Sequence, residues 1–124
     1  MKKNILILLF TTLVGAQGIN SNINSFKTNV VLRPSENNIE VIAFVEIFNR
    51  NLQFLKKDSN FESSYDLNIS IISEDGSKID EKSFSETIVV ENFSQTVSRA
   101  NPILITASFK IPLQEFDVNF SLKD

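Results

Sequence analysis

Carboxylates are the acid–base groups this sequence has to work with: Asp and Glu together number 15, while His and Cys are both absent. Two acids flanking a scissile bond are the working parts of a glycosidase. Here the acids fall in expected turns (Asp58, Glu74, Asp75, Asp80, Glu81) or on outward strand positions (Asp66, Asp117). That is the distribution of solvated surface charge, and a hydrolase built on paired acids is the weakest of three functional readings. Without Cys or His, zinc, copper, haem and iron–sulfur centres lose their usual donors. The Ser-His and Cys-His nucleophile pairs are likewise unavailable. The expectation is a non-enzyme with no catalytic, cofactor-binding or metal residue. Glu74-Asp75-Gly76 lacks the spaced oxygen ligands of a calcium loop and reads better as a hairpin turn. Three Asn-x-Ser matches, at Asn68, Asn92 and Asn119, are expected by chance in a chain this rich in Asn and Ser. Two of them lie on expected strands.

The elements that position these residues are strands. Ile39, Val41, Ala43, Val45 and Ile47 alternate along one face, while Ile42, Phe44 and Phe48 make the other face apolar as well, as in a central strand. That second face is either a partner surface or a core layer beneath Leu52–Lys56 and the N-terminal strand. Tyr65, Leu67, Ile69 and Ile71 alternate with polar residues, Asp75-Gly76 supplies a turn, and Phe84–Val90 runs back, so 65–73 and 79–90 should form a hairpin. Further strands are expected over 103–111 and 116–122, with short ones at Asn29–Leu32 and Leu52–Lys56, the latter halted by Lys57-Asp58-Ser59-Asn60. About seven strands without a sustained helical period predict an all-β, immunoglobulin-like antiparallel sandwich, with a barrel as the second choice.

The N-terminus carries an address. Lys2 and Lys3 precede an apolar run from Ile5 to Val14, followed by Gly15-Ala16. This is the layout of an export signal, too short to cross a bilayer as a helix, which needs roughly 20 residues. A buried N-terminal strand or helix is the alternative. Cleavage is expected between Ala16 and Gln17, or after Gly18. The domain plan is a signal over 1–16, a polar leader over 17–27 and a sandwich domain over 28–124. Loss of the two lysines takes the net charge from −3 to −5. An acidic module has little to offer a phosphate backbone, so no nucleic-acid partner is expected. Nor is stable membrane insertion expected after cleavage.

Across residues 41–99 the order of the pieces is more specific. Val45-Glu46-Ile47-Phe48 is followed by Asn51-Leu52-Gln53-Phe54, Ser64-Tyr65-Asp66-Leu67 and Ser73-Glu74-Asp75-Gly76. Then come Asp80-Glu81-Lys82-Ser83-Phe84, Glu86-Thr87-Ile88-Val89-Val90 and Gln95-Thr96-Val97-Ser98-Arg99. This resembles the N-terminal β-sandwich region of bacterial GWxTD domain-containing proteins. The naming motif is absent, since the sequence has no Trp. The resemblance implies an envelope location and a sandwich, and it transfers no functional residue. Family members continue past Leu122-Lys123-Asp124 into a return strand. The expectation is therefore either a fragment of a longer protein of this type or a module whose last strand pairs with a protein partner. The favoured function is a structural or protein-interaction module. The alternative is an extracytoplasmic peptide- or glycan-binding module using loops at one end of the sandwich.

Overall fold

The computed structural model describes residues 26–124. The expected signal, its cleavage between Ala16 and Gln17, and the leader as far as Ser25 lie outside the described residues. Alternating apolar residues put the chain into seven strands: β1 (Lys27–Pro34), β2 (Asn38–Ile47), β3 (Leu55–Lys57), β4 (Asn60–Ser73), β5 (Lys78–Val90), β6 (Ile103–Pro112) and β7 (Phe116–Lys123). A 3-10 turn, Asn49–Asn51, follows β2, and a short helix, α1 (Phe93–Thr96), follows β5. Among the described residues, no helix is long and apolar enough to cross a membrane.

All pairings are antiparallel, and they make two sheets. In one, β2 lies between β1 and β6. In the other, β5 runs along one side of β4, while β3 and β7 share its opposite side end to end, β3 against 60–62 and β7 against 66–73. The order β1-β2-β6 facing β5-β4-β7 is an immunoglobulin-like sandwich.

The core is the space between the sheets. Ile39, Val41, Ala43, Val45 and Ile47 of β2 are buried with Tyr65, Leu67, Ile69 and Ile71 of β4. Ala107, Phe109 and Ile111 of β6 and Phe116, Val118 and Phe120 of β7 complete it. Burying each large apolar side chain contributes about 1.5–3 kcal/mol. In a chain without cysteine, that packing must hold the sheets together.

Two boundaries differ from the sequence reading. β4 begins at Asn60, well before Tyr65, because Lys57-Asp58-Ser59-Asn60 is a tight reversal rather than a loop. Lys57 and Asn60 pair as the last rung of β3 and β4, and Asp58 takes φ 57°. Leu52 lies outside β3. It follows the 3-10 turn and is buried at one end of the core, whereas Leu55 within β3 is exposed.

The β4–β5 hairpin forms as expected, but only Gly76, at φ 93°, takes positive φ in its turn. The Gly76 N–H donates to the Ser73 carbonyl at 2.9 Å and the Ser73 N–H to the Ser77 carbonyl at 2.8 Å. A Cβ added at Gly76 would meet nothing within 4 Å, so its cost is one of backbone conformation alone. Gly76→Ala should lower stability by about 1–2 kcal/mol, and Gly76→Asn by less, because Asn tolerates this region. Urea unfolding measures both, and an unchanged midpoint for Gly76→Ala would contradict the turn geometry.

Candidate functional site: the free edge of the last strand

Two open sheets leave four edges, three of them formed by β1, β5 and β6 and the fourth shared end to end by β7 and the three-residue β3, each with a row of backbone groups that invites another strand. Three of the four are guarded. On β1, the Val30 N–H donates to the Asn29 side chain at 2.9 Å, and Pro34 ends the strand. β5 points charges inward: Asp80, Lys82 and Glu86 stand opposite the buried Ile71, Ile69 and Tyr65 of β4. The Glu81 N–H is also taken by the Asp80 carboxylate at 2.8 Å. Asp80 and Glu81, read from sequence as turn acids, therefore belong to an edge strand. β6 is guarded from across the sandwich. Lys82 Nζ donates to the Ser108 carbonyl at 2.7 Å, and the same ammonium sits 5.3 Å from the centre of the Phe109 ring.

That lysine also fixes the relation of the sheets. It puts β5 over β6 and closes that side, so β7 lies on the side of β1. There the inward residues of β1 (Thr28, Val30 and Leu32) are only half buried, whereas those of β2 are buried.

β7 carries no such guard. Its inward residues are apolar throughout: Phe116, Val118 and Phe120 are buried and Leu122 is half buried. Its outward residues, Asp117, Asn119, Ser121 and Lys123, are exposed. The strand holds no Pro and no Gly, and its pairing with β4 is in unbroken register from Phe116 opposite Ser73 to Lys123 opposite Asp66. Among the described residues, nothing pairs with its far side. In an immunoglobulin sheet that position belongs to the strand called G, beyond F.

A second surface lies on the outer face of the three-stranded sheet. Val31, Phe44 and Leu104 are exposed there, and a groove of about 540 Å³ is lined by Lys27, Phe44, Glu46 and Leu104 among others. Among the described residues, nothing covers the apolar second face of β2. β1 lies beside β2 in the same sheet and β3 belongs to the other sheet, so neither forms a core layer over it. The groove is built from strand residues, not from end loops.

The acids do not assemble. No Asp or Glu is among the buried residues described. At the turn tips the charge of Glu74 raises the pKa of the exposed Glu115. Among the described residues, no group of three or more acids is placed to hold a metal ion. Asp75 is engaged by its own turn: it accepts from the Ser73 hydroxyl, from the Ser77 N–H at 2.9 Å and from the Ser77 hydroxyl at 2.7 Å. Those bonds hold its pKa down at about 2. The three sequon asparagines have ordinary structural places. Asn68 donates to Ser83 at 2.9 Å across the β4–β5 pair, Asn92 caps α1, and Asn119 is exposed on β7.

Comparison with known protein families, with curated proteins and with solved structures returns no match.

Tyr65 reports on the inward charge of β5. Burial, and then its 3.0 Å hydrogen bond to the Glu86 carboxylate, push the phenol from 10.0 to about 12. The pKa is raised in the folded state, so the stability it contributes is complete below pH 10 and is lost as pH rises through about 12. It is the chain's single Tyr. A near-ultraviolet titration should therefore give one midpoint near 12 in the folded protein, falling toward 10 in Glu86→Gln or on unfolding. A folded midpoint at 10 would contradict this placement.

Proposed function

We propose that this chain is an exported, non-catalytic β-sandwich module with a structural or protein-interaction role in the bacterial envelope. Its partner binds by adding a strand to the free side of β7. One observation supports this most strongly: among the described residues, β7 alone of the edge strands longer than three residues has no inward charge, no proline and no capped backbone group. An unguarded edge is a liability unless something covers it, and strand addition is a recurring mode of peptide recognition. The export layout of residues 1–16 and the resemblance to the GWxTD sandwich region support the envelope location. The same resemblance supports an alternative, in which the chain is a fragment of a longer protein of that type and the family's return strand, rather than a partner, takes the free side of β7. The absence of His and Cys supports a non-enzyme that needs no cofactor. The net acidic charge speaks against a nucleic-acid partner.

A second reading rests on the groove beside Phe44, where a peptide or glycan would lie across the outer sheet face. It has a single aromatic platform, Phe44, and is the weaker of the two.

Photo-crosslinking in the producing cell tests the choice. A crosslinker at Ser121 of β7 should trap a protein, whereas one at Ser83 of β5, on the same face of the same sheet, should not. Equal yields at both positions, or adducts only from Thr106 beside the groove, would count against the β7 reading.

A further inference from the structure

We infer that the strand completing β7 is β7 of a second copy of this chain, paired antiparallel about a two-fold axis. This rests on the interaction reading above and names its partner. The inference comes from the order of side chains along the edge. A two-fold perpendicular to the sheet keeps inward residues opposite inward residues. Because faces alternate, only registers that set like faces opposite each other are allowed. One such register sets Phe120 opposite its own counterpart and Val118 opposite Leu122. On the exposed face it sets Asp117 opposite Lys123, and Asn119 opposite Ser121. Both charges of the strand are thereby paired, twice over by symmetry, and the two remaining outward residues are uncharged hydrogen-bonding partners. Setting Asn119 opposite itself pairs Lys123 with Glu115, one residue outside the strand, and leaves Asp117 facing the uncharged Ser121, so only the first register pairs both charges that β7 itself carries. Opposite charges directly across a pair are favourable and like charges unfavourable, so the sequence selects the first register.

The remaining geometry agrees. The inward row of β7 is already part of the core, so the pairing extends one apolar layer across the axis. The outer face of the β4 sheet is polar, with Asp66 bonded to Ser85 at 2.5 Å and Asn68 to Ser83, so the joined sheet presents a continuous wet surface. The edge bonds of β7 go to backbone, which binds any strand, while the two charge pairs specify this one.

The test is sedimentation of the processed, exported chain over a range of concentrations, with a charge swap. The wild type should dimerise reversibly. Asp117→Lys and Lys123→Asp each turn two attractive pairs into two repulsive ones and should raise the dimer dissociation constant roughly tenfold. The double variant restores opposite charges with the order reversed and should return to within about twofold of wild type. Both residues are exposed, so far-ultraviolet circular dichroism should be unchanged in all three variants. At dilutions where the chain is monomeric Asp117→Lys should keep the wild-type melting temperature, whereas Lys123→Asp, which faces Asp66 across the β4–β7 pair, should lower it slightly. A chain that stays monomeric at every concentration, or a dimer indifferent to the swap, overturns the inference. A monomer whose Ser121 crosslinks to a different protein overturns the second copy yet leaves the interaction reading standing. A monomer with no crosslink at Ser121 sinks both.

Discussion

The contact between the inward rows of β2 and β4 is the interaction on which the rest of this structure depends. These are the central strands of the two sheets, and their facing residues, from Ile39 to Ile47 and from Tyr65 to Ile71, are almost wholly removed from water. No disulfide supports them, so apolar burial must offset the chain entropy lost on folding. Each central strand needs a neighbour on both sides to satisfy its backbone, and β1, β5, β6 and β7 supply those neighbours. Two three-strand-wide sheets are the result, and four free edges come with them.

The molecule deals with those edges unequally. On the β5–β6 side, one lysine does several things at once. Lys82 faces inward, lays its ammonium near the Phe109 ring, and donates to a carbonyl on the free side of β6. A long charged side chain can cover apolar surface while keeping its head in contact with water or a polar partner. On the β1–β7 side no such residue intervenes among the described residues. Thr28, Val30, Leu32 and Leu122 are half buried there, as are Phe84 and Ile88 of β5 and Ile103 and Ile105 of β6 on the other flank, so the two flanks differ in how their edges are guarded rather than in burial. Among the described residues the sandwich thus has one flank bridged by a lysine and one flank without such a bridge, and the proposed added strand belongs to the second.

Much of this was legible in the residues, and the exceptions have physical causes. Strict alternation identified the inward rows of β2, β4, β6 and β7, because burial on one face imposes a period of two. The β4–β5 hairpin followed from Asp75-Gly76, although Gly76 alone takes the positive φ. The reversal at Asp58 was read as a longer stop, because a non-glycine residue at positive φ leaves little trace in sequence. The guarding of β5 was not legible at all. Asp80, Lys82 and Glu86 look like solvent-facing residues, and only the register with Ile71, Ile69 and Tyr65 shows that they point inward. The unguarded character of β7 then emerged by contrast with that strand.

Residue-resolved amide hydrogen exchange along β7, followed from dilute to concentrated protein, tests the open edge most directly. At high dilution, amides directed at β4 should be protected and the alternating set directed away should exchange freely. That second set should become protected as concentration rises, while the amides of β5 stay unchanged. Uniform protection of β7 at every dilution would mean the edge is already covered within one chain. Free exchange of the outward set at every concentration would mean that no second copy covers it.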